Sequence, residues 1–442
     1  MTASLLEQAV TAALGLDLGR VPKPVLRHAG HVVADTVAVS RAGADTHEMT
    51  ALVQLDREQG LVHPASHDSD PAASSTVLAR GLPQTHAAHA AFLNATAGTF
   101  LELDEGMRPT GHPGMHVVPA ALAVAERGHR SGSELLRAVI VGYEVTARLF
   151  LGFRLRYPVH PHGHFGAVGA AVAAALLDAV DPVAAAHAAG TTPLLPVWDA
   201  CYEGATVRNT WTGLAAQTGV RAVDLVRAGL LGSARTLEVG YGTIAGDLVD
   251  PAALSASLDY DRLGITRDYF KLHSACALSH AAIDAVLEMG LDDVSDVLDV
   301  QVETVANNLK LDRQPHPNEL SGRFSLPYAV ATVLTLGRSD PEAFTYRPQV
   351  ALLAEKVNVS AAEDLEASWP EHAPARVTVR TTRGTLTRTV DNPRGHHSRP
   401  ITAVELEAKF ASLVGDPAER WWSRLTNLSE VEDCAQLLAG PR

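Results

Sequence analysis

Alanine-rich segments of helical period recur at roughly 22–41, 86–101, 117–128, 132–151, 166–189 and 212–230, separated by Gly, Pro and Asp clusters. Side chains this small let helix backbones approach one another closely, so the first ~265 residues predict a helical body. From about residue 270 the texture changes. Residues 299–305 alternate through Val300, Val302 and Thr304, and 376–381 and 385–390 read as two strands around Arg383-Gly384. Helices are predicted at 278–290 and 326–336, and after Asp391-Asn-Pro-Arg-Gly the stretch 403–413 returns to a helical pattern. The expected fold is mainly α with an α+β part: a large all-helical domain from 1–268 and 396–442, and a smaller inserted α+β lid domain at 269–395.

At 442 residues the chain exceeds one ordinary core, which agrees with two domains. The formal net charge of −14 argues against nucleic acid and anionic membranes as partners. Cys201, Cys276 and Cys434 are odd in number and far apart, so neither a disulfide framework nor a metal or iron–sulfur set is expected. The first residues lack a basic, then apolar, leader pattern, and the longest apolar run, 165–177, is too short for a bilayer. A cytoplasmic protein is the expectation. Lysine is scarce: Lys23, Lys271, Lys310, Lys356 and Lys409 against many arginines.

The stretch 102–119 carries the densest chemistry. Glu102, Asp104 and Glu105 follow a helical run, then a Pro/Gly-broken loop presents His112 before the next helix. Loops held between helices are frequent homes of catalytic groups, and a histidine with an acidic neighbour makes an acid/base pair. The Gly111-His112-Pro113 context reads as exposing the ring. Three carboxylates at one buried spot raise one another's pKa, so at least one is expected to face water. His160, His162 and His164 alternate and offer three imidazoles for zinc, but Pro158, Pro161 and Gly163 break the extension. No metal site is therefore expected. Tyr143 lies on an apolar helix at 135–151, where a core tyrosine with a partnered hydroxyl is the plainer reading. Lys271, His273, Cys276 and His280 fall at the junction with the lid, where clefts form. Arg394-Gly395 reads as a hinge, an anion contact or simply a turn.

These pieces together resemble the MmgE/PrpD family, the 2-methylcitrate dehydratase-like enzymes. Its members read Asp-Phe-Asp-Asp-Thr, then Gly-His-Pro and a Val-x-Pro-Ala-Ala helix start. Further matches are Gly142-Tyr143-Glu144-Val145 with Arg148, His160-Pro161 followed by 165–171, Lys271 through Asp284, Phe324-Ser325-Leu326-Pro327-Tyr328, and Pro393-Arg394-Gly395 leading to Lys409-Phe410. The resemblance covers nearly the whole chain. It implies a cofactor-independent enzyme, usually a homodimer, acting on small polycarboxylates by dehydration, decarboxylation or epimerisation. It implies His112 and His160 as base and acid, with Lys271 and Arg208 supplying charge and Tyr143 as a proton relay. Glu102, Asp104, Arg208, Cys276, His280 and Arg394 become substrate-binding positions; His162 and His164 have no counterpart and read as incidental. Departures are Glu102 for Asp, Gly106 for Thr or Ser, Arg208 for Lys, and Cys276 for the histidine of the decarboxylating branch. A hydro-lyase on a hydroxylated di- or tricarboxylate is the leading expectation, with an epimerase or a repurposed, non-catalytic member as alternatives.

Overall fold

A computed structural model describes residues 3–65, 75–291 and 294–438. The helical part is built on α1 (Lys23–Gly43), α2 (Ala87–Thr99), α3 (Pro113–Arg127), α4 (Gly132–Gly152), α5 (His164–Leu177) and α6 (Thr210–Arg227). α5 is apolar on every side, so it can only be stable at the centre. It packs against α3, α4, α6 and the short helix Pro182–Gly190. The contact with α4 is backbone on backbone. A Cβ on Gly142 would come within 2.6 Å of the Gly169 carbonyl oxygen, so glycine is required where these helices meet.

The segment predicted as one helix over 166–189 is two. Asp181 accepts a hydrogen bond from Val183 N–H and Pro182 occupies the first helical turn, a start signal that ends the previous run. α3 begins four residues earlier than predicted because Pro113 is favoured at a first helical position.

The lid holds a four-stranded sheet of β1 (Val297–Thr304), β2 (Val357–Ala361), β3 (Ala375–Thr381) and β4 (Gly384–Val390), in the order β4-β3-β1-β2. β4 pairs antiparallel with β3, β3 antiparallel with β1, and β1 parallel with β2. The parallel link crosses over through Leu326–Leu336, which packs with His280–Met289 over the sheet. β2 was not anticipated: Val357, Val359 and Ala361 alternate with Asn358 and Ser360, but the run is short and its pairing with β1 is non-local. The lid's core around Val300, Val302, Val377 and Val379 also takes Trp198, Cys201 and Tyr202. The late helix Ala403–Val414 lies on α1, and Phe410, Trp421 and Leu425 belong to the helical core. Among the described residues no helix is long and apolar enough to cross a membrane.

Glu126, near the end of α3, is buried without a cation and accepts from Thr76 N–H at 2.7 Å and from the Thr76 hydroxyl. Burial pushes its carboxyl up to about 7. A carboxyl raised on folding contributes stability that is complete below its unfolded value of 4.5 and is lost as pH rises through about 7. Chemical denaturation at pH 5 and pH 8 should therefore show Glu126→Gln gaining about 3 kcal/mol on the parent over that interval. An identical pH dependence in both proteins would contradict the assignment.

Candidate active site

A two-residue antiparallel pair, Gly106–Met107 with Asp268–Tyr269, stitches the loop after α2 to the segment that carries Lys271. This pairing assembles a row of ion pairs from distant positions. Arg208 Nη1 donates to Glu102 Oε1 at 2.7 Å, and Lys271 Nζ donates to Glu102 Oε2 at 2.9 Å and to Asp104 Oδ1 at 3.0 Å. Asp104 Oδ2 lies 2.8 Å from His112 Nδ1. Glu102 itself is held at φ +50°, a left-handed conformation that costs a β-carbon residue about 1–3 kcal/mol, so the two cations over-determine its position.

All three carboxylates are buried, against the expectation that one faces water. The reason is partner supply. Burial alone would raise Asp104, but Lys271 and then His112 hold its carboxyl well below the usual carboxylate range. Burial would lower Lys271, and Asp104 and Glu102 raise it instead. Glu105 has no cation among the described residues. It accepts from Gly114 N–H at the start of α3 and from the Tyr143 hydroxyl at 3.1 Å. Burial, then Asp268, still lifts it well above the carboxylate range. Gly114 is needed for this approach, since a Cβ there would meet Glu105 Oε1 at 2.3 Å.

The histidines are oriented rather than free. His112 caps α3 with its side chain 12% exposed, correcting the expectation of an exposed ring. Its Nδ1–H donates to the Glu105 carbonyl at 2.7 Å, which leaves Nε2 with a lone pair. His160 is the reverse: Nδ1 accepts from His162 N–H at 3.2 Å, so its neutral form carries the proton on Nε2. Burial, then Arg208 and His112, push His160 well below the ordinary histidine value. His162, read as incidental, stands between them, its ring 4.5 Å from that of His112 and 4.6 Å from that of His160. His116 was also missed. Its Nδ1–H donates to the His112 carbonyl at 2.7 Å and its Nε2 accepts from Gly163 N–H at 2.9 Å, joining the two loops. Its position one helical turn after His112 was the available signal. His164 fastens the same loop through His160 O and Tyr241.

These groups border a cavity of about 540 Å³ between the helical part and the lid. Glu102, His112, His160, Arg208, Lys271 and Cys276 line it; Phe150, Trp198, Phe324 and Trp369 supply apolar wall. Asp104 and Tyr143 lie behind His112 and Glu105. His280 is buried beside the cavity, donating to Ala275 O at 3.0 Å. Arg394 does not reach it: its backbone N–H binds Asp284, and its half-exposed guanidinium pairs with Glu405. Asp104, His112 and His162 have ligand atoms within 4.8 Å of one another, the one such cluster among the described residues. Lys271 at 3.0 Å from Asp104 already neutralises that carboxylate and would oppose a second cation there.

Family models for the MmgE/PrpD N-terminal domain and the MmgE/PrpD C-terminal domain match residues 7–251 and 273–421, and the chain belongs to the MmgE/PrpD family. It is similar to the cis-aconitate decarboxylase of Homo sapiens, 26% identical over 479 aligned positions that cover 100% of this chain and 96% of that protein. The cis-aconitate decarboxylase of Mus musculus is 24% identical, over 100% of this chain and 94% of its own.

Lys271 bridges two buried carboxylates, so its removal should cost stability as well as chemistry. Lys271→Met should lose about 3–5 kcal/mol in urea denaturation at neutral pH, with Lys271→Met/Asp104→Asn recovering part of the loss. An unchanged midpoint in the single variant would mean that the ion pairs are not formed.

Proposed function

We propose that the chain is a lyase that removes a proton α to a carboxylate of a small hydroxylated di- or tricarboxylate and expels water. The observation that carries this reading is the opposed tautomers of His112 and His160 at one cavity wall. His112 Nε2 takes the α-proton as base. The electron pair moves onto the substrate carboxylate, where Arg208 and Lys271 stabilise the developing charge. Arg208 suits that task. It is buried, its Nε and Nη2 have no oxygen acceptor among the described residues, and the neighbouring Cys201 is kept neutral by burial at about 12. As the pair forms the double bond, the β-hydroxyl leaves with the neutral His160 Nε2–H hydrogen-bonded to its oxygen, and the proton that His112 took completes the departing water, so both rings end neutral. Tyr143 and Glu105 position the start of α3 and so His112.

Decarboxylation, the activity named for the mammalian relatives, is less well supported here. Cys276 stands where the resemblance puts the decarboxylating branch's histidine, and burial pushes its thiol up to about 11, a poor proton donor.

The chain should convert a 2- or 3-hydroxy polycarboxylate to an alkene, read as far-ultraviolet absorbance and by proton NMR in D₂O. His112→Gln and His160→Gln should each lower kcat by about 10²–10⁴-fold. Deuterium entering the α-position without alkene would replace the lyase by an epimerase. Carbon dioxide release from cis-aconitate would restore decarboxylation. Binding without any turnover would leave a repurposed member.

A further inference from the structure

Four arginines are buried among the described residues. Arg148 pairs with Glu144, Arg208 with Glu102 and Arg323 with Glu319. Among the described residues Arg108 has no carboxylate, and its Nε has no hydrogen-bond partner although the residue is only 4% exposed. Its guanidinium lines the cavity, 5.1 Å from the ring of Tyr269 and 5.9 Å from that of Trp369. A charge buried without a counter-ion is expensive, so a protein keeps one where a ligand supplies the missing anion. The aromatic clamp holds it in place while empty.

A second cation is in the same situation. Lys310, on the short helix Ala306–Leu311 of the lid, lines the same cavity, donates to Asn307 Oδ1 at 2.9 Å and lies 4.8 Å from the Trp198 ring. It has no carboxylate either among the described residues, and burial lowers its pKa. The two sit at opposite ends of the histidine row. From Arg108 the contacts run through Tyr269 to His112 (6.3 Å between rings), then His162 and His160, then Trp198 at 4.4 Å from His160, and finally Lys310. The electrostatics sort them the same way: Lys310 acts on His160, whereas Arg108 acts on His280 and His396. Arg108, Cys276 and Lys310 all line the one cavity of about 540 Å³, which limits the span to a small molecule.

We propose that Arg108 and Lys310 are the two carboxylate receptors of the cavity, selecting a ligand whose carboxylates flank the carbon presented to His112 and His160. The inference rests on reading the cavity as a carboxylate site, and it gives specificity to residues that lie outside the ion-pair row. Arg108 offers a planar fork that suits a carboxylate two-handed, and Lys310 a point charge.

Titration calorimetry of the full chain with succinate, glutarate and tricarballylate, set against butyrate, tests it. The polyacids should bind at least tenfold more tightly than butyrate. Arg108→Gln and Lys310→Gln should each reduce polyacid affinity by about ten- to a hundredfold, and the double variant should not distinguish polyacid from monoacid. Ligand-free Arg108→Gln should melt no lower than the parent, because it removes an uncompensated charge. Arg108→Lys should keep part of the polyacid preference. Equal affinities for butyrate and the polyacids, polyacid binding indifferent to both substitutions, or an Arg108→Gln protein that melts well below the parent would overturn the proposal. Polyacid binding that depends on Arg108 and Lys310 with no turnover of any hydroxy acid would defeat the lyase reading and leave the receptors standing. Turnover with affinities insensitive to both would do the reverse.

Discussion

Lys271 has its ammonium 2.9 Å from one buried carboxylate and 3.0 Å from another, and the geometry of the cavity follows from that contact. An unpaired charge at this depth would be prohibitive, so Glu102, Asp104, Lys271 and Arg208 are stable only as a set. The set in turn fixes catalytic groups. Asp104 stands against His112 Nδ1 and Glu102 holds one edge of Arg208, which leaves His112 Nε2 and two Arg208 nitrogens unsatisfied by protein oxygens. The row has two firm cations and two firm anions. In the proposed reading Arg208 and Lys271 meet the charge that develops during reaction, and Arg108 and Lys310, outside the row, meet the carboxylates that the ligand brings.

The helical packing is what brings the row together. α5 enters the core directly after His160, His162 and His164, and its glycines let α4 close on it backbone to backbone. α3 starts at the other loop, with His112 as its cap. His116 ties the two loop backbones to each other, so the placement of His112 relative to the loop of His160 is set by a buried contact. The helices that follow His112 and His160, α3 and α5, belong to the same hydrophobic cluster. The lid adds Lys310 and Trp369, so it completes the cavity wall.

Much of this was legible in the chain. Periodicity located α1 to α6 but not the helices Leu5–Leu14, His47–Glu58 and Ala418–Thr426, and the motif order identified the family, because both are local properties. Boundaries failed where a cap competed with periodicity, at Asp181-Pro182 and at Pro113. β2 escaped because its pairing with β1 is non-local. Of the site, His112, His160, Lys271, Arg208, Glu102 and Cys276 were named from the sequence and meet at the cavity. His162 was named but read as incidental, and His116 and Arg108 were not singled out, since burial and missing counter-ions appear only in three dimensions. Arg394 was named and lies outside, because a Pro-Arg-Gly turn carries no information about where its side chain pairs.

Two backbone contacts, His112 Nδ1–H to the Glu105 carbonyl and His162 N–H to His160 Nδ1, give His112 and His160 opposite neutral tautomers. Long-range proton–nitrogen NMR on protein labelled with ¹⁵N-histidine, assigned with His112→Gln and His160→Gln, reads this directly at neutral pH. The account predicts a protonated Nδ1 on His112 and a protonated Nε2 on His160. The same tautomer on both rings, or a protonated Nε2 on His112, would contradict it.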